Sequence, residues 1–195
     1  MPKVGIIISN YNGWQDTLVC LESLQRQTFT DFEIILIDDA SPNDSVAQLQ
    51  DKLPPNTVFL PQQQNVGFAA ANNIGIRRAL ADGCDFALLL NNDTELIGED
   101  SIKEMLGFCQ REDVGIAGAR LLYGDDTIQH AGVVIGFGGI AGHTFIGLHK
   151  AENSYFHRAM CAQDYSAVTA ACLMTKKSVF DQVGGLSPEL AVAFN

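Results

Sequence analysis

Three apolar runs that each break off into Ser, Asn or Asp set the limits on this chain. Val4 to Ile8 runs into Ser9-Asn10-Tyr11-Asn12-Gly13, Phe32 to Ile37 into Asp38-Asp39, and Phe86 to Leu90 into Asn91-Asn92-Asp93. Between the first two, Trp14, Leu18, Leu21 and Leu24 fall at helical spacing, which predicts a helix to about Gln27. After Asp39 a polar turn with Ser41, Pro42 and Asn43 leads into a short helix to about Lys52. Pro54-Pro55 stops it, and Thr57 to Leu60 reads as a third strand. A helix over Phe68 to Ala81 then leads to the strand at Asp85 to Leu90. Strand, helix, strand in this rhythm means βαβ units, and apolar runs without alternation mean a parallel sheet buried on both faces.

The second half is less regular. A helix is predicted over Ser101 to Gln110, a strand over Val114 to Ala119, and another over Thr127 to Ile135. Gly136 to Asp164 reads as loop. Ala167 to Thr175 reads as a strand and Lys177 to Val183 as a short helix stopped by Gly184-Gly185. The length suits one domain, with residues 1–95 and 96–195 as its two halves.

Charge narrows the partners. Twelve Lys and Arg against 23 Asp and Glu leave a net charge of −11, which excludes a protein that grips nucleic acid by its phosphates. It also argues against electrostatic anchoring on an anionic membrane. A phosphate-bearing ligand needs something to offset the repulsion, and a divalent metal held by carboxylate serves. No apolar run approaches the roughly 18 residues of a membrane span, and Met-Pro-Lys followed by a strand is no signal peptide. Five scattered cysteines without Cys-x-x-Cys read as small buried hydrophobes in a reducing, cytoplasmic setting.

In an open α/β sheet, ligands bind beyond the carboxyl ends of the strands. Loops at the three polar ends can therefore converge on one crevice, and their chemistry suits a nucleotide. Tyr11 can cover a base face, an Asp can accept from a base N–H or a ribose hydroxyl, and Asp93 can hold Mg²⁺ or Mn²⁺ against a diphosphate. Each cluster alone also fits ordinary turn chemistry: Asp38 or Asp39 as a helix cap or Asx turn, Asn91-Asn92 as a turn, Tyr11 as a half-buried aromatic. Their common placement at strand ends favours the site.

Taken in order, the motifs resemble glycosyltransferase family 2, the inverting sugar transferases of GT-A fold. The matching pieces are Val4-Gly-Ile-Ile-Ile-Ser-Asn-Tyr-Asn12, Gln27-Thr-Phe-Thr-Asp-Phe-Glu-Ile34, Ile37-Asp-Asp-Ala-Ser41, Asn65-Val-Gly-Phe68, Asn73-Ile-Gly75 and Leu88-Leu-Leu-Asn-Asn-Asp-Thr-Glu95. Later come Gln129-His-Ala-Gly132, Ala170-Ala-Cys-Leu-Met174 and Val183-Gly-Gly-Leu186, which look most like bacterial members that build O-antigen and rhamnose-rich chains. The resemblance implies a Rossmann-like, three-layer α/β/α fold with a mostly parallel sheet. It implies transfer of a sugar from a UDP-, dTDP- or GDP-sugar to a glycan or lipid-linked acceptor, in the cytoplasm or beside the inner face of a membrane.

It also implies residue roles. Ser9, Tyr11 and Asp39, with Asp38 beside it, would contact the base, Asn65 and Gly67, with Asn73 on the following helix, would border the nucleotide, and Asn92 and Asp93 belong to the metal motif. That motif's first Asp is Asn91 here, which leaves Asp93 as its one carboxylate. Gly184, Gly185 and Asn195 would lie by the donor sugar and acceptor. In the family an acidic-Asp or Asn-Asp pair follows the Gly-Gly segment and supplies the catalytic base. Asn195 matches the first residue of that pair, so the base would be the next residue, and the downstream His that often completes the metal shell is missing too. General-base help is worth about 10²–10⁴-fold, so a chain lacking it should bind donor better than it turns it over.

Two other readings share the fold. One is an accessory module that binds nucleotide-sugar without catalysis. The other is a sugar nucleotidyltransferase, whose N-terminal glycine-rich signature with Arg and Lys is absent from Ser9 to Gly13. Gly136-Phe-Gly-Gly-Ile-Ala141 matches a dinucleotide fingerprint, but the Ala141-Gly-His-Thr-Phe-Ile-Gly147 that follows is poor helix material. His130, His143, His149 and His157 lack metal-ligand spacing, and a structural or solvated role suits them better.

Overall fold

A computed structural model describes residues 2–189. Its central sheet has six strands in the order β3-β2-β1-β4-β10-β5. These are β1 (Val4–Asn10), β2 (Phe32–Asp38), β3 (Thr57–Pro61), β4 (Phe86–Leu90), β5 (Ile116–Gly118) and β10 (Cys172–Lys176). The first four are parallel and β10 runs antiparallel between β4 and β5, so the sheet is mixed. The mostly parallel sheet expected from the sequence is thus observed, and its antiparallel member is β10, which returns from the far end of the chain instead of following a crossover helix.

Alternation along β1 sorts the core into two layers. Ile6 and Ile8 face one side, with Leu21 and Leu24 of α1 (Trp14–Gln25), Leu49 of α2 (Ser45–Gln50) and Ile102 and Leu106 of α4 (Ser101–Cys109). Ile7 faces the other, with Ile35, Ile37, Ala71, Ile76 and Ala79 of α3 (Phe68–Ala81) and Phe180 of α5 (Lys177–Val183). The result is three layers, helix on sheet on helix. Small residues bring α3 close to the sheet: a Cβ on Gly75 would lie 2.5 Å from Ile7 Cγ2 and 2.7 Å from Ile37 Cδ1.

The regular half follows the sequence expectations within two residues at each boundary; the second half departs from them. Thr127 to Ile135 is not one strand. It breaks at Ala131-Gly132 into β7 (Ile128–His130), paired with β6 (Leu121–Leu122), and β8 (Val133–Ile135), paired with β9 (Ala141–His143). The stretch read as loop therefore holds a strand, and within Tyr155–Met160 two short 3₁₀ turns separated by a kink at Phe156 and His157. The strand expected from Ala167 begins only at Cys172. The residues before it form a strip bridged to β8, with Val133 N–H donating to Ala167 O at 2.9 Å. Among the described residues, no helix is long and apolar enough to cross a membrane.

Candidate functional site

Sheet order reverses direction at β1, whose neighbours are β2 on one side and β4 on the other, and the polar strand ends meet at this switch point. Asn10, fully buried, ties them together. Its Nδ2 donates to Asp38 Oδ2 at 2.6 Å, and its Oδ1 accepts from Gly13 N–H at 3.2 Å and Thr17 Oγ1 at 3.0 Å. Asn92 docks on the same point, its Nδ2 donating to Gly13 O and Thr17 Oγ1, both at 3.2 Å. One side chain thus sets the relative positions of the loops after β1, β2 and β4.

The neighbours Asp38 and Asp39 have different surroundings. Asp38 is fully buried and its carboxylate is committed: Oδ1 accepts Ser41 N–H at 2.9 Å, and Oδ2 accepts Ser41 Oγ at 2.8 Å besides Asn10. Asp39 faces the next loop. Its Oδ1 accepts Val66 N–H at 2.8 Å and its Oδ2 accepts Gly67 N–H at 2.9 Å, while Asn65 Nδ2 donates to its carbonyl at 3.2 Å. Gly67 holds φ at +82°, which glycine adopts without strain, and this lets the chain turn into α3 beneath the carboxylate. Between Asp39 and Ser41, Ala40 sits at φ 58°, a left-handed backbone that costs an L residue about 1–2 kcal/mol.

Ser9, Tyr11, Asp39, Asn65, Gly67, Asn92 and Asp93 line one open cleft of about 300 Å³, together with Phe68 and Asn91. Tyr11 is 52% exposed and Asp93 is exposed. Two residues expected here lie elsewhere. Asp38 is sealed beneath the cleft floor by its bonds to Asn10 and Ser41. Asn73 is nearly fully buried on α3 and grips Leu186, with Nδ2 donating to its carbonyl at 2.8 Å and Oδ1 accepting its N–H at 2.9 Å. That grip seats the Gly184-Gly185 turn on α3, where Gly184 forms the left-handed cap of α5. Neither glycine lines the cleft, and Asn195 lies outside the described residues.

Beneath the β4 loop, Cys20 Sγ–H donates to Asn91 O at 3.7 Å. Burial, reinforced by the neighbouring Cys172 and Asp93, pushes its thiol up to about 12, so it stays a neutral packing group. Sequence reasoning missed Asn10 and Thr17 as the organisers of the site. Asn10 stood in a recognisably polar strand end, whereas Thr17 lies inside a helix and gave no local signal.

The residues present suit a hard divalent cation of the Mg²⁺ or Mn²⁺ kind. Such ions take oxygen ligands and are often held by one or two carboxylates plus substrate phosphates. Asp93 offers an exposed carboxylate at the cleft, whereas Asp39 has both oxygens on backbone N–H groups. Among the described residues, no cluster of three His, Cys, Asp or Glu forms an all-protein cage.

Residues 5–184 match the model of "Glycosyl transferase family 2". An uncharacterized protein, y4gI, from Sinorhizobium fredii is 38% identical over 200 residues, covering 100% of this chain and 22% of the relative. The O-antigen biosynthesis protein RfbC of Myxococcus xanthus is 33% identical over 195 residues, covering 98% of this chain and 15% of the relative. The chain thus spans about a fifth or less of the length of these relatives. Among solved structures, the mannosyltransferase PcManGT of Pyrobaculum calidifontis, in complex with GDP-Man and Mn²⁺, superposes with a TM-score of 0.69 at 13% identity, over 96% of this chain and 48% of that one. S. aureus TarS 1-349 in complex with UDP gives 0.62 at 16% identity, over 98% and 52%. The mixed sheet and its flanking helices are those of the GT-A fold, and the match over nearly the whole sequence assigns the chain to glycosyltransferase family 2.

Proposed function

We propose that the cleft at the ends of β1, β2 and β4 binds the nucleotide of a UDP-, dTDP- or GDP-sugar, and that the chain is the donor-binding domain of an inverting transferase building cell-surface polysaccharide. The observation that carries this reading is the convergence of Ser9, Tyr11, Asp39, Asn65, Gly67 and Asp93 on a single cleft. The protruding Tyr11 ring offers a face for the base. Ser9 and Asn65 offer polar groups for ribose or base edges. Asp93 would hold the divalent cation, which supplies positive charge against the departing diphosphate. Support comes from the fold match to a mannosyltransferase in complex with GDP-Man and Mn²⁺, and from the relative named for O-antigen biosynthesis.

In this reading residues 1–95 form the nucleotide half and residues 96–195 the donor-sugar and acceptor half. Asn73 joins them by holding the Gly184-to-Leu186 turn. The acceptor is a glycan or lipid-linked sugar, whose hydroxyl attacks the anomeric carbon in one displacement as a base takes its proton. None of residues 2–189 is given the role of that base.

Calorimetric titration of UDP, dTDP and GDP, with and without Mn²⁺, tests the proposal. Metal-dependent binding of one nucleotide, lost in Asp93→Ala, supports it. A folded protein that binds none of the three overturns it.

A further inference from the structure

The Gln129-His-Ala-Gly132 motif lies outside the cleft, yet its histidine is buried and makes three polar contacts. His130 is 1% exposed. Its Nε2 accepts two backbone N–H groups, from Gly132 at 3.3 Å and Thr169 at 3.4 Å. Two donors aimed at Nε2 place the ring proton on Nδ1. The 2.8 Å contact between His130 Nδ1 and His143 Nδ1 is then a bond donated by His130 to His143, with the rings edge-to-face at 79°. The imidazole therefore joins β7, β9 and the strip before β10 with one donor and one acceptor, and a neutral ring is required.

The strip continues to the cleft. Ala171 N–H donates to Thr169 Oγ1 at 3.4 Å, and Ala171 O accepts the Asn91 N–H at 2.9 Å. Asn91 opens the loop that carries Asn92 and Asp93, and it lines the cleft itself. On its other edge the strip is bridged to β8 through Ala167 and Val133. Residues 167–171 thus lie between a small ribbon, which His130 anchors, and the loop that presents Asp93.

We infer that His130 is a positioning residue for the donor cleft: by accepting the Thr169 N–H through Nε2, it fixes the 167–171 strip that sets Asn91 and hence the Asp93 loop. The inference builds on the proposed nucleotide site and deepens it. Outer-shell groups that hydrogen-bond a metal's ligands contribute about 10–100-fold to metal affinity, and His130, which reaches the Asp93 loop only through the 167–171 strip, belongs at the low end of that range.

The experiment compares wild type with His130→Ala, His130→Gln and His130→Asn. Glutamine sets an acceptor oxygen near the Nε2 position, whereas asparagine reaches only the Nδ1 position. Amide hydrogen exchange at residues 91–94 and Mn²⁺-dependent nucleotide affinity are measured on each. The expected result is faster exchange at residues 91–94 and about tenfold weaker affinity in the Ala and Asn variants, near-wild-type behaviour in the Gln variant, and unchanged protection across β1 in all. Unchanged exchange at Asn91 in His130→Ala, or Gln and Asn variants that behave alike, overturns the inference. Should His130→Ala lose its β1 protection, the Gln and Asn pair decides. If wild type binds no nucleotide, the proposed function falls, and the exchange data still decide the role of His130.

Discussion

The Asp39 carboxylate accepts the backbone N–H of Gly67 at 2.9 Å, and this bond joins the end of β2 to the start of α3. Its other oxygen holds the Val66 N–H, so one side chain shapes the cleft wall while facing the cleft. Asp39→Ala leaves two N–H groups without that partner and should cost about 1–3 kcal/mol of stability. Chemical denaturation measures it. Asp39→Asn should cost part of that, because only its carbonyl oxygen can accept.

Gly75→Ala tests the packing of α3 on the sheet. Alanine favours the helix by about 1 kcal/mol, but its methyl would overlap the Ile7 and Ile37 side chains. Overpacking costs about 1–3 kcal/mol, so the net effect should be destabilising. A lowered urea midpoint with an unchanged slope is the expected observation.

Acid should loosen the small ribbons first. Burial, reinforced by the nearby His143, lowers the His130 pKa from 6.5 to about 4. The unfolded chain therefore binds the proton more readily than the folded one. The contribution of the neutral ring is complete above pH 6.5 and is lost progressively as pH falls towards 4. Unfolding free energies measured between pH 7 and 4 should drop in wild type and drop less in His130→Gln, which has no ring to protonate.

Thiol labelling should single out one cysteine. Cys20, Cys84, Cys109 and Cys172 are buried and Cys161 is exposed. Burial holds the first four thiols up, Cys20 and Cys172 to about 12 and Cys84 and Cys109 to about 11. A maleimide added to the native protein should modify Cys161 within minutes, with the rest reacting only in denaturant; mass mapping checks this.

The half of the chain through Leu90 was legible because each element carries its own signal. β1, β2 and β4 are unbroken apolar runs, and α3 has clear helical spacing between a glycine and a polar stop. Residues 116–171 were not, because their strands are two or three residues long, too short to carry a periodic signal, and are tied together by contacts such as that of His130 with Thr169. Within the site, sequence marked the three strand ends and pointed to Asp39 ahead of Asp38, but gave no sign that Asp38 is sealed in. Successive residues at a strand end face opposite ways, and only the positions of Asn10 and Gly67 decide which one is sealed in and which lines the cleft. The grip of Asn73 on Leu186 was hidden for a similar reason: the two lie 113 residues apart.

The most direct test of the central claim is amide hydrogen exchange on the 195-residue chain with and without Mn²⁺ and whichever of UDP, dTDP or GDP binds. The account predicts new protection at residues 9–13, 39–41, 65–68 and 91–94 together, abolished at 91–94 in Asp93→Ala. Protection confined to other segments, such as 133–147, or none at saturating nucleotide, would contradict it.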